Sequence, residues 1–146
     1  MIAVDTNILV YAHRQDSDFH TDAARAIEGL AGGKGSWAIP WPCLHEFLAI
    51  VTHPRIYDPP STIDQAVDQI DAWLRSPVLQ LIGETVDYWP TTRRQLLDGK
   101  VAGPLVHDAR VAAICAVHGV RQLWSADRDF SRFGELDLHN PLVSRY

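Results

Sequence analysis

Ile2-Ala3-Val4-Asp5-Thr6-Asn7-Ile8-Leu9-Val10 sets a short apolar run directly before a carboxylate and then resumes with apolar residues at helical spacing. Ile2 to Asp5 reads as a short buried strand ending in an acid, and Asn7 to His13 as the helix that follows it. A strand that passes at once into a helix is the opening of a β–α unit. The rest of the chain repeats that alternation.

Working outward, residues 22 to 31 place Ala23, Ala24, Ile27, Leu30 and Ala31 on a helical stripe that Gly32-Gly33-Lys34-Gly35 interrupts. Trp37 to Ile39 reads as a second strand. From Pro42, a helix aligns Leu44, Phe47, Leu48 and Val51, and His53-Pro54 ends it because the residue before proline disfavours helical angles. Asp58-Pro59-Pro60 is a rigid connector. Ser61 with Asp64 resembles a capping pair ahead of the amphipathic series Ile63, Ala66, Val67, Ile70, Trp73 and Leu74. Val78 to Ile82 predicts a third strand, and Pro90 to Leu97 a helix stopped near Gly99. Leu105 to Val117, apolar on nearly every face, predicts a buried helix closed by Gly119. Gln122 to Trp124 and Leu136 to Leu138 supply two more strands. Alternating strands and helices imply an α/β layer sandwich on a mainly parallel sheet, in which ligands gather at the carboxyl ends of the strands. Asp5 and Asp127 both follow apolar strands at that edge.

The 146 residues suit one domain spanning 1–146, and with 47 % hydrophobic residues they can fill a continuous core. No apolar run reaches the roughly 20 residues that span a bilayer, and the amino terminus has no signal-peptide pattern, so a cytoplasmic protein without membrane attachment is expected. Cys43 and Cys115 form no CxxC pair and lie in apolar segments, as buried reduced thiols do. The net charge of −5 argues against a broad, non-specific grip on nucleic acid. A local phosphate-binding patch is still compatible with it, since lysine occurs only at positions 34 and 100 and the other cations are arginines, which suit bidentate phosphate contacts.

Several carboxylates stand out. Asp5 can serve as a helix cap or as a functional acid. Glu46 lies off the Leu44, Phe47, Leu48, Val51 stripe, so it is either a solvated residue or one wall of a cleft. Asp108 shares its apolar helix with only His107 and Arg110 as titratable polar groups, and a carboxylate so placed must be paired, protonated or bound to metal. An ion pair with Arg110 or another arginine is the structural alternative. In Ser125-Ala126-Asp127-Arg128-Asp129-Phe130, either aspartate can cap a polar turn. Taken together the acids say more. Two negative charges about 4 Å apart repel by roughly 4 kcal/mol at an effective dielectric near 20, so converging carboxylates need a counter-cation. Oxygen-only ligation suits magnesium or manganese, and no HExxH or Cys/His cluster provides for zinc.

Val4-Asp5-Thr6-Asn7, Glu46 in a central helix, His107-Asp108-Ala109 and Ser125-Ala126-Asp127-Arg128-Asp129-Phe130 resemble, in order and spacing, the motifs of PIN domains, across almost the whole chain. Length and the lack of an appended domain resemble the VapC-type toxins of type II toxin–antitoxin pairs. That resemblance implies a PIN-like three-layer sandwich and a magnesium-dependent endoribonuclease, with manganese a possible substitute. It also implies a homodimer silenced by a VapB-type antitoxin. It places Asp5, Glu46, Asp108 and Asp127 as the catalytic and metal-binding quartet. Thr6 and Ser125 become supporting hydroxyls, and Asp129 a residue that shares or replaces the role of Asp127. It further implies hydrolysis by water that leaves 5′-phosphate and 3′-hydroxyl ends. Arg14, Arg93, Arg94, Arg110 and Arg128 are candidates for guiding an RNA backbone.

Other classes fit less well. The adjacent His107-Asp108 invites comparison with HD-type phosphohydrolases, which need an all-helical fold. A phosphate-responsive receiver module needs a lysine after a late strand, where neither Lys34 nor Lys100 falls. An interaction protein that kept the fold and lost catalysis is the remaining alternative, and divalent-ion binding separates it from an enzyme.

Overall fold

The computed structural model describes residues 1–143. Strand β1 (Ile2–Val4) leads into helices α1 (Thr6–His13) and α2 (His20–Ala31). Strand β2 (Trp37–Pro40) follows, then α3 (Trp41–Val51), α4 (Ile63–Leu74) and β3 (Leu79–Ile82). Next come α5 (Tyr88–Asp98), α6 (Leu105–Val117), β4 (Gln122–Trp124), a 3-10 turn at Arg128–Arg132 and β5 (Asp137–His139).

The sheet has the order β3-β2-β1-β4-β5, with every neighbouring pair parallel. From β1 the chain moves outward to β2 and β3, then returns to lay β4 on the other side of β1. Right-handed crossovers therefore put α1 to α4 on one face and α5 and α6 on the other, giving the expected three layers. The contacts agree, since α1 packs on α2 and α3, α3 on α4, and α5 on α6. The reversal of strand order falls between β1 and β4, and in open parallel sheets that is where a crevice forms.

The core is built from residues placed by this topology. Ala3, Val4, Trp37, Ala38, Ile39 and Leu123 are fully buried in the three central strands. Phe47 from α3 packs against Trp73 of α4 at 5.0 Å between ring centroids and meets His13 edge-on at 5.4 Å. The buried indole of Trp37 donates its N–H to the Ser76 hydroxyl at 3.1 Å, which satisfies its one polar atom. Cys43 and Cys115 are buried free thiols, and burial pushes Cys115 up to about 12.

Several sequence expectations shift. The cap of α4 is Thr62, whose hydroxyl accepts from the Gln65 backbone at 3.1 Å while the Gln65 side chain accepts from the Thr62 N–H at 2.9 Å. Ser61 does not form the expected pair with Asp64 because its hydroxyl is engaged by His13 and Arg14. The last strand begins one residue late, at Asp137, since the Leu136 N–H is held by Phe133 in a turn. Helix α6 is buried from Ala109 through Cys115 apart from Arg110, but its first turn is open, with Val106 46 % exposed. No helix among the described residues is long and apolar enough to cross a membrane.

Candidate active site

Asp5 follows β1 directly and caps α1, and it also lines the cleft described below. Its Oδ1 accepts from the Thr6 N–H at 2.8 Å and from the Cys43 thiol at 3.6 Å. Its Oδ2 accepts from the Ser125 hydroxyl at 2.7 Å and from the Asn7 amide at 3.3 Å. The register explains this: Val4 pairs with Trp124, so the next residues, Asp5 and Ser125, leave the sheet side by side. Asp5 is only 7 % exposed, and burial pushes its carboxyl above the usual range. Hydrogen bonds from Ser125, Thr6 and Cys43 oppose that push, and the Glu46 charge adds to it.

The supporting residues link the elements. Thr6 donates its hydroxyl to Glu46 Oε2 at 3.1 Å, which ties the start of α1 to α3. Ser125, almost fully buried, accepts from the Asp127 N–H at 2.9 Å and from the Asn7 amide at 3.1 Å. Asn7 completes the network by accepting from the Ala126 N–H at 3.2 Å. Asn7 stands in the Val4-Asp5-Thr6-Asn7 motif, but the sequence alone assigns it no role. The signal available was its place two residues after a strand-ending aspartate, where an amide can bridge two loops.

Asp108, in the first turns of α6, and Asp127 and Asp129, around the turn after β4, each bring an oxygen within 4.8 Å of the other two. Asp127 also accepts from the Asp129 N–H at 2.9 Å, which fixes the turn. Asp5 and Glu46 stand outside this close triple but line the same cleft. One cavity of about 250 Å³ is bounded by Asp5, Glu46, Asp108 and Asp127, and a second of about 560 Å³ by Asp5, Glu46, Asp108 and Asp129. The carboxylates thus form a ridge between two hollows.

Asp108 does not pair with Arg110, whose guanidinium instead binds Glu84 from the segment after β3. Among the described residues no arginine or lysine forms an ion pair with any of the five acids. Partial burial, joined by the charges of Asp127, Asp5, Asp129 and Glu46, pushes Asp108 up to about 6. Converging carboxylates without a paired cation among the described residues fit a hard divalent cation with oxygen ligands.

The arginines divide by position. Arg110 lines the larger hollow, and Arg128 lines a separate recess with Asp127 and His139. Arg14 lies at the far end of α1, bound to Asp16. Arg94 pairs with Glu135 beside residues that precede β4 and β5, at the opposite edge of the sheet from the acids.

A parallel sheet with an acidic ridge at its switch point describes a class of nuclease-like folds, and comparison with known proteins agrees: the chain belongs to the PIN domain family, whose model matches residues 2–136. Its relatives there are VapC ribonucleases. Ribonuclease VapC48 of Mycobacterium tuberculosis is 34 % identical over 137 residues, covering 94 % of each chain. Ribonuclease VapC43 of the same organism is 33 % identical over 142 residues, covering 97 % of this chain and 96 % of that one. Among solved structures, M. tuberculosis VapC20, described as a Sarcin-Ricin loop cleaving toxin, has the same fold with a TM-score of 0.67 at 19 % identity, over 92 % of this chain and 95 % of that one. VapBC2 from Rickettsia felis, solved bound to a DNA fragment from its promoter, gives 0.66 at 23 % identity, over 96 % and 98 %.

Proposed function

We propose that residues 1–146 form a single nuclease domain that hydrolyses RNA phosphodiester bonds with magnesium, or manganese in its place, as the toxin of a toxin–antitoxin pair. The observation that carries this reading is the ridge of Asp5, Glu46, Asp108, Asp127 and Asp129, to which no arginine or lysine among the described residues is paired. The similarity to proteins named VapC ribonucleases supports RNA as substrate. A solved VapBC complex of the same fold supports a VapB-type antitoxin as the restraining partner. A homodimer acting in the cytoplasm belongs to the same reading.

Asp108, Asp127 and Asp129 would hold the ion, with Asp5 and Glu46 completing the acidic wall. When bound, a divalent ion supplies Lewis acidity, which lowers the pKa of the attacking water and offsets charge on the phosphate. The chain's own work is positional. Ser125, Asn7 and Thr6 hold the Asp5 and Glu46 carboxylates in fixed orientation, so little reorganisation is needed when the substrate arrives. Hollows on both sides of the ridge let a single strand cross it, which suits an internal cut. Water attacking phosphorus with cleavage of the P–O3′ bond, the 3′ oxygen leaving and taking up a proton, gives a 5′-phosphate and a 3′-hydroxyl.

The test is cleavage of a cellular RNA pool by antitoxin-free protein in magnesium, manganese or chelator, with Asp5→Asn alongside and fragment ends mapped. Metal-dependent cuts bearing 5′-phosphates, lost in the variant, support the reading. Folded protein that binds divalent ions without cutting any RNA sinks it.

A further inference from the structure

The two hollows beside the ridge differ in chemistry. The larger one carries His45, His107 and Arg110 around its acids. The smaller one adds to its acids Val10, Tyr11, Ile50 and Tyr57, of which Val10, Tyr11 and Ile50 lie about one helical turn beyond Asn7 and Glu46. Two phenol rings and two aliphatic side chains thus border the same cavity as Asp5, Glu46, Asp108 and Asp127. At about 250 Å³ the cavity lies below the roughly 300–1,000 Å³ typical of pockets for drug-sized ligands, so it suits one flat ring system and excludes a base pair.

Tyr57 is held in place with unusual thoroughness for a residue outside helix and strand. The Arg14 guanidinium lies 4.3 Å from its ring centroid and covers one face. Arg14 is itself fixed by two bonds to Asp16 at 2.9 and 2.6 Å, one to the Pro59 carbonyl at 3.0 Å and one to the Ser61 hydroxyl at 3.2 Å. The Tyr57 N–H is bound to the His53 carbonyl at 3.1 Å. Tyr11 is braced by Phe19, with ring centroids 5.2 Å apart. Rings fixed before a ligand arrives lose little freedom on binding it, as a stacking platform requires.

We propose that this aromatic end of the cavity is a nucleobase subsite, in which one unpaired base next to the scissile phosphate stacks on Tyr57 and packs against Tyr11. The proposal rests on the ribonuclease reading for its substrate, and it assigns Tyr57 as a specificity-determining residue and Arg14 as the positioning residue behind it. Single-stranded RNA is read by stacking splayed bases on aromatic rings, and a site for one base beside the ridge restricts cutting to unpaired RNA.

Two arms test it. In the first, Tyr57→Ala and Tyr57→Phe are compared with the unaltered protein on an RNA that it cuts. Tyr57→Ala should raise KM by roughly 5- to 150-fold and flatten the base preference at one position beside the cut, while Tyr57→Phe keeps both. Unchanged KM and cut-site profile in Tyr57→Ala overturn the proposal. In the second arm, adenosine, guanosine, cytidine and uridine are titrated in chelator against protein with labelled tyrosine rings, with ribose as control. Shifts of the Tyr11 and Tyr57 ring signals by a nucleoside and not by ribose support the subsite, and no shift with any nucleoside overturns it. Nucleosides carry no scissile bond, so this arm reads the subsite even if the protein cuts no RNA.

Discussion

The Ser125 hydroxyl donates to Asp5 Oδ2 at 2.7 Å across 120 positions of sequence, and it is the contact that joins the ends of β1 and β4 at the acidic ridge. The same oxygen accepts from the Asp127 N–H, so one buried hydroxyl orients acids from both strands. Removing it leaves Asp5 with less compensation for its burial. Ser125→Ala is expected to destabilise the fold by about 1–3 kcal/mol and to lower cleavage about 10- to 100-fold. Ser125→Thr should retain most activity. Chemical denaturation and cleavage rates measured on the same preparations check both, and an Ala variant as active as the parent refutes the role.

Partial burial and the neighbouring carboxylates push Asp108 up to about 6 in the metal-free protein, above the usual carboxylate range near 3.8. The folded state therefore binds more protons than the unfolded state between those limits, and stability falls as pH rises through that window. Because Asp108 is only partly buried, the loss should be about 1 kcal/mol once solvent screening is allowed for. Asp108→Asn should reduce this slope, leaving the part due to the buried Asp5, and make metal-free protein more stable above pH 6. Thermal unfolding in chelator from pH 4 to 7 measures it, and parallel pH profiles for both proteins contradict it.

The same proton competes with a cation. Apparent affinity for magnesium or manganese should weaken as pH drops below about 6, with proton release on binding in that range and little above it. Calorimetric titrations in buffers of different ionisation enthalpy read the proton directly, and an affinity independent of pH from 5 to 7 rules the coupling out.

Divalent ion at about 100 times its Kd should stabilise the fold by roughly 2.7 kcal/mol. Asp127→Asn and Asp129→Asn should each diminish that gain, since both oxygens belong to the close triple. An undiminished gain in Asp129→Asn removes Asp129 from the ligand set and leaves Asp127 as the ligand from that turn, beside Asp108.

Thr62 caps α4 well away from the ridge, in a reciprocal pair with Gln65. Thr62→Ala should cost about 1 kcal/mol while the cleavage rate stays as it was. A fall in rate matching the Ser125→Ala variant would mean that activity merely tracks stability.

The alternation of strands and helices was legible because short apolar runs and 3.6-residue stripes are local properties, and the acids were legible because they end strands or interrupt apolar helices. The partners were less so. Glu84, which takes Arg110 away from Asp108, sits in an irregular segment with no periodic signal. Ser61 and Thr62 offer the same capping chemistry one residue apart, and only the prior engagement of Ser61 by His13 and Arg14 decides between them. Tyr57 reaches the cleft through a turn around His53 that no stripe predicts.

The strand order β3-β2-β1-β4-β5 also has a consequence in time. During synthesis the first three strands are made in the order in which they lie outward from β1, while the neighbour that brings Ser125, Asp127 and Asp129 to Asp5 is made after α6. A growing chain that has folded through β3 holds Asp5 and Glu46 but has no Asp127 or Asp129 beside them. The ridge is therefore completed late, and it lacks Asp127 and Asp129 until the chain after β4 has been made and β4 has docked beside β1.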